Sequence, residues 1–175
     1  VGNKLTATIK LNAKSIKLQK KQTTKKIKVT MANGDSVKSW KSSNKKVVSV
    51  SKNGKIKGIK AGKTATITVQ LQSGLKASFK VKVQKKAVAT KSIKVTNAST
   101  GKNVGKKLTM KAKGTLKLAA AVSPVTSKQK VTYSSSNKKV ATVTSKGVIK
   151  AKKKGKVTIT VKSGKKSYKI KITVK

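Results

Sequence analysis

The feature that most constrains the fold of this chain is a pattern of residues that occurs twice. An aromatic residue, Trp40, is followed by Ser-Ser-Asn and then by Val47 and Val50, and the same order of residues begins again at Tyr133. The similarity continues through a glycine turn in each copy and through a later Ile-Thr-Val segment. A repeat of this length within 175 residues predicts two similar domains in series.

Apolar and polar residues alternate in short runs within both copies, as in Phe79-Lys-Val-Lys-Val83 and Tyr168-Lys-Ile-Lys-Ile172. Successive side chains of a β-strand point to opposite faces, so this alternation places the apolar residues inside and the lysines in water. Turn signals such as Asn33-Gly34 and Ser163-Gly164 separate the runs. The chain is therefore predicted to be all-β, with sheets that bury one face.

Two further matches between the copies set expectations about strand equivalence. Lys14-Ser-Ile-Lys-Leu18 resembles Lys91-Ser-Ile-Lys-Val95, so these segments are predicted to be the same strand of each copy, and the second copy then carries a longer loop at 96–113. Phe79 is likewise expected to match Tyr168. The predicted core of the first copy consists of its inward-facing residues: Ile16, Leu18, Ile27, Val29, Trp40, Val47, Val50, Ile56, Ile67, Val69, Phe79, Val81 and Val83.

The composition excludes most enzymatic chemistry. All 47 basic residues are lysines, the chain has no Arg, His, Glu or Cys, and Asp35 is the only acidic residue, so the formal net charge is +46. A pair of carboxylates for general acid–base catalysis is impossible, and a zinc site or a serine or cysteine triad lacks its residues. We therefore expect no enzymatic activity, no cofactor and no metal.

The charge raises the possibility of polyanion binding. Paired and tripled lysines occur throughout the chain, and the candidate contacts are those in the repeated turn and in the longest run: Lys45, Lys46, Lys138, Lys139, Lys152, Lys153 and Lys154. Release of counterions would make such binding strongly dependent on salt. The alternative interpretation is a solvated surface on which lysine is the default polar residue and keeps strand edges from pairing with other chains.

Specific recognition of nucleic acid is not expected. Base readout and bidentate phosphate contacts favour Arg, which is absent, and binding of single strands needs exposed aromatic rings. The aromatic residues are Trp40, Phe79, Tyr133 and Tyr168, and all of them fall at predicted core positions. No run of residues is apolar and long enough to span a membrane.

The repeated residues resemble the bacterial immunoglobulin-like domain, group 2. The resemblance rests on Trp40, Ser42-Ser43-Asn44, Val47, Val50, Gly54, Gly62 and Thr66-Ile67-Thr68-Val69, and on Tyr133, Ser135-Ser136-Asn137, Val140, Val143, Gly147, Gly155 and Thr158-Ile159-Thr160-Val161. It implies two tandem immunoglobulin-like β-sandwich domains, at 1–86 and 87–175. For residues 1–13 we favour the last strand of a preceding module, and the alternative is an extra edge strand on the first domain.

The resemblance also implies a role. Domains of this family occur in tandem on bacterial extracellular proteins, as in the stalks of intimin and invasin-type surface proteins. We therefore expect a non-catalytic spacer or adhesion module of a cell-surface or secreted bacterial protein, with neighbouring modules and anionic cell-wall or host glycans as partners. The alternative is an accessory carbohydrate- or cell-wall-binding module of a secreted enzyme.

Overall fold

The computed structural model describes residues 6–175, and among these residues the regular structure is β-strand without helix. The prediction of an all-β chain is confirmed. The chain divides into two compact units, Val1–Val88 and Ala89–Lys175, a boundary close to the expected one between residues 86 and 87.

The strands of the first unit, among its described residues, are β1 (Ile9–Leu11), β2 (Ser15–Gln19), β3 (Thr23–Thr24), β4 (Val29–Met31), β5 (Val37–Ser42), β6 (Val48–Val50), β7 (Ile56–Gly58), β8 (Thr64–Leu71) and β9 (Lys76–Gln84). Those of the second unit are β10 (Ser92–Asn97), β11 (Lys107–Met110), β12 (Thr115–Ser123), β13 (Val131–Ser135), β14 (Ala141–Val143), β15 (Val148–Ala151), β16 (Gly155–Ser163) and β17 (Lys166–Val174).

The second unit is a sandwich of two four-stranded sheets. One has the order β10-β12-β15-β14 and the other β11-β17-β16-β13. All pairs are antiparallel except β11 with β17, which run parallel. In immunoglobulin nomenclature these sheets are A-B-E-D and C-F-G, with β11 added beside strand G. Inward-facing apolar residues of both sheets, such as Leu118, Ile149, Ile159 and Ile170, form one core.

The first unit has the same arrangement, except that the counterpart of β12 is divided into two shorter strands. Its larger sheet has the order β2-β9-β8-β5, while β3-β7-β6 and β1-β4 form smaller sheets. β3 pairs with β7 as the beginning of β12 pairs with β15, and β4 pairs with β1 as the rest of β12 pairs with β10. Thus β3 and β4 together correspond to β12, and β1 corresponds to β10.

This correspondence corrects the predicted equivalence of Lys14–Leu18 with Lys91–Val95. β2 lies parallel to β9, with Ile16 opposite Val81, whereas β10 lies antiparallel to β12 in the other sheet. The counterpart of β2 is β11, which lies parallel to β17. The segment expected to be a longer loop, 96–113, therefore contains a strand. A Ser-Ile-Lys-apolar run fits any strand with one buried face, so sequence similarity alone did not identify its neighbours.

The pairing of the N-terminal residues corrects the favoured assignment of 1–13 to a preceding module and supports the alternative, a strand of the first domain. Ile9–Leu11 pairs with Val29–Met31 of the same unit, with Lys10 opposite Thr30. This strand therefore belongs to the first unit's own sandwich. Lys4 and Leu5, which were included in the predicted strand, lie outside the described residues.

The predicted match of Phe79 with Tyr168 is wrong by two residues. Phe79 lies opposite Ile67, whereas Ile170 occupies the corresponding place opposite Ile159. Tyr168 instead corresponds to Ala77, because these two residues lie opposite Val161 and Val69. A shift of two residues keeps the same sheet face, so the alternation could not reveal it.

Burial follows the predicted core with exceptions. Ten of its members are buried, while Val29, Trp40 and Val50 are half-buried. Of the aromatic residues only Phe79 is fully buried; Trp40, Tyr133 and Tyr168 keep part of their surface exposed. Large amphipathic rings at the margin of a small core commonly bury one side and leave a polar edge in water.

Candidate polyanion-binding surfaces

The predicted lysine pairs occupy equivalent exposed turns. Lys45 and Lys46 follow Asn44 between β5 and β6, and Lys138 and Lys139 follow Asn137 between β13 and β14. The Asn44 side-chain oxygen accepts a hydrogen bond from the Lys46 N–H at 3.0 Å, and Asn137 accepts one from Lys139 at 3.0 Å. This bond of an Asn to the backbone two residues on closes the turn and directs both lysines to solvent.

In the second unit, the fold brings the lysine triplet beside this turn. The Val140 carbonyl accepts hydrogen bonds from the N–H groups of Lys152 and Lys153, at 2.8 and 3.4 Å. We call this group the lysine end, which consists of Lys138, Lys139, Lys152, Lys153 and Lys154. All of its members are exposed. Five of the seven predicted contacts thus lie together in one unit.

The first unit has a weaker version of the same end. There the Val47 carbonyl accepts hydrogen bonds from Ile59 and Lys60, at 2.9 and 3.2 Å. Ile59 is exposed and stands where the second unit has Lys152. Lys45 and Lys46 therefore have Lys60 beside their turn instead of three consecutive lysines.

A second lysine surface lies on the outer face of a sheet and was not predicted. It is a shallow groove of about 550 Å³ in the second unit. We call it the sheet groove. Its outward-facing residues are Lys107 and Thr109 on β11, Lys171 and Thr173 on β17, and Lys156 and Thr158 on β16, with Ser136 beside them. The alternation predicted that β16 and β17 expose lysine, but the neighbour that completes the groove, β11, was assigned to a loop.

The charge is distributed over the surface without internal neutralisation. Every lysine from Lys10 to Lys175 is exposed. The only acidic side chain, Asp35, lies in the first unit, where it accepts hydrogen bonds from the Ser73 hydroxyl and from the backbone N–H groups of Ser36 and Ser73. The Ser73 hydroxyl, with help from the backbone donors, lowers the pKa of Asp35. The second unit therefore contains no side-chain counterion for its lysines.

The repeated aromatic residue of each copy packs against the glycine of the turn that follows it. The Trp40 ring lies against Gly54, and the Tyr133 ring lies against Gly147. Partial burial raises the pKa of Tyr133. The exposed side of Trp40 faces a depression of about 430 Å³ whose lining includes Lys41 and Lys45. Trp40 and Tyr133 occupy equivalent places, because each lies opposite the Val of an Ile-Thr-Val segment.

Over residues 6–175, His, Cys, Asp and Glu side chains form no group of three or more that could hold a metal ion. In the same range, no helix has the length and apolar character to cross a membrane.

The fold and the repeated motif define the class: tandem β-sandwiches of the immunoglobulin-like type. Comparison with family models supports this class, since residues 89–174 match the bacterial Ig-like domain (group 2). The second unit therefore matches this family, and the first unit repeats the same motif and strand arrangement. The predicted resemblance is confirmed.

A segment of the chain is also similar to an enzyme. It is 61% identical over 46 residues to the kappa-carrageenase of Pseudoalteromonas carrageenovora, a match that covers 26% of this chain and 12% of that protein. The similarity thus spans about an eighth of the length of the curated relative.

Solved structures that align with the chain include an S-layer protein and intimin. Domains 5–6 of the S-layer protein SbsC align over 97% of this chain and 98% of that one, with 20% identity and a TM-score of 0.44. A C-terminal fragment of intimin, in complex with the intimin-binding domain of its translocated receptor, aligns over 96% of this chain and 64% of that one, with 17% identity and a TM-score of 0.36.

Proposed function

We propose that this chain is a non-catalytic spacer or adhesion module of a bacterial cell-surface or secreted protein, and that its lysine surfaces contact anionic polymers. The observation that carries the proposal is the combination of a repeated bacterial Ig-like sandwich with lysines that are all exposed where described and with a single acidic side chain. The composition also lacks a second carboxylate and any His or Cys, so a carboxylate pair and a serine–histidine or cysteine–histidine site cannot be built.

The proposed mechanism has a structural part and an electrostatic part. The structural part is the pair of compact units of paired sheets, which would act as the spacer. Exposed ammonium groups attract polyanions, and binding releases the small ions that were condensed on the polymer. The partners that fit are cell-wall or host polymers that carry repeated negative charges.

Retention on immobilised polymers tests the electrostatic part. At about 150 mM NaCl, where the Debye length is roughly 8 Å, we expect the full chain to bind wall teichoic acid or a sulfated glycan and not an uncharged glycan of the same backbone. The logarithm of the binding constant should fall linearly with the logarithm of the salt concentration. If no anionic polymer is retained at this salt concentration, the contact with polymers is wrong and only the spacer role stands.

The alternative function is an accessory module that holds a secreted enzyme on its polysaccharide. The similarity to a kappa-carrageenase favours it, as does the exposed side of Trp40 beside Lys45. Aromatic faces next to polar groups are suited to hold sugar rings. The accessory role predicts tighter binding of κ-carrageenan than of other polymers with equal sulfate density, and Trp40→Leu should remove that preference. Equal binding of all sulfated polymers would support the adhesion role instead.

A further inference from the structure

We propose that the sheet groove of the second unit is a binding site for the sulfate groups of a polysaccharide. This inference rests on the proposed function, because it gives a location and a ligand class to the contact with anionic polymers. The site is distinct from the lysine end and is formed by three neighbouring strands, β11, β17 and β16.

The strand register places the groove residues in two rows. Lys107, Lys171 and Thr158 lie side by side, and Thr109, Thr173 and Lys156 form the next row. Neighbouring strands are about 4.8 Å apart, and diagonal neighbours across a strand pair are about 7–8 Å apart. Three ammonium groups on flexible stems therefore arise from an area small enough for one or two sulfates to contact them together.

The pairing of Lys107 with Lys171 is unfavourable without a ligand. The two lysines extend from partner positions on neighbouring parallel strands, and like charges at such short range repel each other. The second unit has no acidic side chain to separate them. An anion held between the two ammonium groups would remove this repulsion, so binding should also stabilise the unit.

Hydroxyl groups complete the site. Each row contributes threonine, and the Ser136 oxygen accepts the Thr158 N–H at 2.8 Å, which leaves its own O–H able to donate. A sulfate ester has three terminal oxygens and stands away from the sugar ring, so it can accept from ammonium and hydroxyl donors at once. The groove residues include no aromatic ring or Arg, which disfavours nucleic acid as the ligand.

A pair of charge-matched triple variants tests the proposal in the full chain. The groove variant is Lys107→Thr, Lys156→Thr and Lys171→Thr. The control variant is Lys94→Thr, Lys117→Thr and Lys150→Thr, which removes the same charge from exposed positions on β10, β12 and β15 of the other sheet. Threonine keeps the strand preference in both cases.

The probe is dextran sulfate, with dextran as its uncharged counterpart, measured by calorimetry at about 150 mM NaCl. We expect the groove variant to lose about tenfold or more in affinity and the control about threefold or less, since both lose the same long-range attraction. Equal losses of affinity in the two variants would rule out the sheet groove as the binding site and would leave only diffuse contact with polymers. Absence of binding by the unaltered chain would overturn both.

Lysine modification on the unaltered chain gives a second measurement that does not depend on how a variant folds. Saturating dextran sulfate should slow reductive methylation of Lys107, Lys156 and Lys171 several-fold more than that of Lys94, Lys117 and Lys150. Uniform protection of both sets would contradict a defined site. Equal or stronger protection by polygalacturonate or by duplex DNA at the same charge concentration would show that the groove does not select sulfate.

Discussion

At the scale of single residues, two glycines explain why the repeated motif pairs an aromatic with a glycine turn. A Cβ on Gly54 would lie 2.8 Å from Cζ2 of Trp40, and one on Gly147 would lie 2.9 Å from Cζ of Tyr133. Both glycines also have positive φ, 72° and 80°. Glycine is therefore required at each position for two reasons: the backbone has a positive φ, and the aromatic ring leaves no room for a Cβ.

Gly147→Ala separates these two requirements when it is compared with Gly101→Ala. Gly101 has a φ of 69° in the same unit but open space around its missing Cβ. The backbone term alone should cost Gly101→Ala about 1 kcal/mol, and the additional clashes with the Tyr133 ring and the Leu118 carbonyl oxygen should bring Gly147→Ala to about 2–4 kcal/mol. Urea unfolding measures both. Equal costs would mean that the ring adapts without penalty.

Asp35 links two turns of the first unit. Its carboxylate accepts hydrogen bonds from Ser36 in its own turn and from Ser73 in the β8–β9 hairpin. The Ser73 hydroxyl is the main cause of its lowered pKa. The ionised form of Asp35 is therefore favoured in the folded chain, and its hydrogen bonds connect the two turns.

Asp35→Asn should lower stability at neutral pH, and the difference from the unaltered chain should depend on pH in one direction. Because the folded-state pKa is lowered, the stabilising contribution is complete above the ordinary value of 3.8 and is lost as the pH falls through the lower folded-state value. Thermal melts of both proteins from neutral to acidic pH should converge at the acid end. A difference that grows on acidification would contradict this role.

At the scale of elements, the second unit has to carry its chain from one sheet to the other between β10 and β11. The connecting residues, 98–106, are held to β10 and to β17 by hydrogen bonds of Val104. The Val104 N–H donates to the Val95 carbonyl at 3.0 Å, and the Tyr168 hydroxyl donates to the Val104 carbonyl at 2.6 Å. Val104 itself is buried. Tyr168 thus connects this segment to β17, the strand beside which β11 must lie.

Tyr168→Phe keeps the ring and removes only this connection. A typical hydrogen bond contributes about 0.5–1.5 kcal/mol, so a decrease in stability of that size is expected. Hydrogen exchange should quicken in 98–106 and in β11, while the β16–β17 ladder serves as an internal control. Exchange that rises equally in all three would indicate a global effect and not a local tether.

At the scale of the whole molecule, charge and core are separated by the sheet faces. The largest fully buried side chains are apolar residues such as Phe79, Leu18 and Ile149, and the lysines are exposed from Lys10 onward. With a formal net charge of +46, each unit folds against the repulsion of its own surface.

Added salt should therefore stabilise the fold. Raising NaCl from about 10 to 300 mM shortens the Debye length from about 30 Å to less than 10 Å and screens most repulsion between surface lysines. We expect the melting temperature to rise by about 3–8 °C, which corresponds to roughly 1 kcal/mol in a domain of this size. Calorimetry in a buffer of low heat of ionisation measures it. An unchanged or lower melting temperature would mean that surface repulsion does not limit stability.

The candidate sites show which features the pattern of residues could predict and which it could not. The turns of Lys45-Lys46 and Lys138-Lys139 were recognised because Asn and its neighbours act locally, within a few residues. The approach of Lys152–Lys154 to Val140 depends on how two loops meet at one end of a sandwich, and the sheet groove depends on a parallel pairing of β11 with β17. Contacts between segments far apart in sequence cannot be recognised from the residues of either segment alone. Whether these lysines bind polyanions stays a prediction.

The amino-acid sequence by itself determined the all-β class, the repeat, the inward face of each strand and the outward position of the lysines. These properties depend on the alternation of residues within a strand, which is local. Only the tertiary structure decided that β2 matches β11 and that Ile170, not Tyr168, takes the place of Phe79. The reason is physical: alternation repeats every two residues, so it selects a face, while register and neighbour are selected by packing across the core.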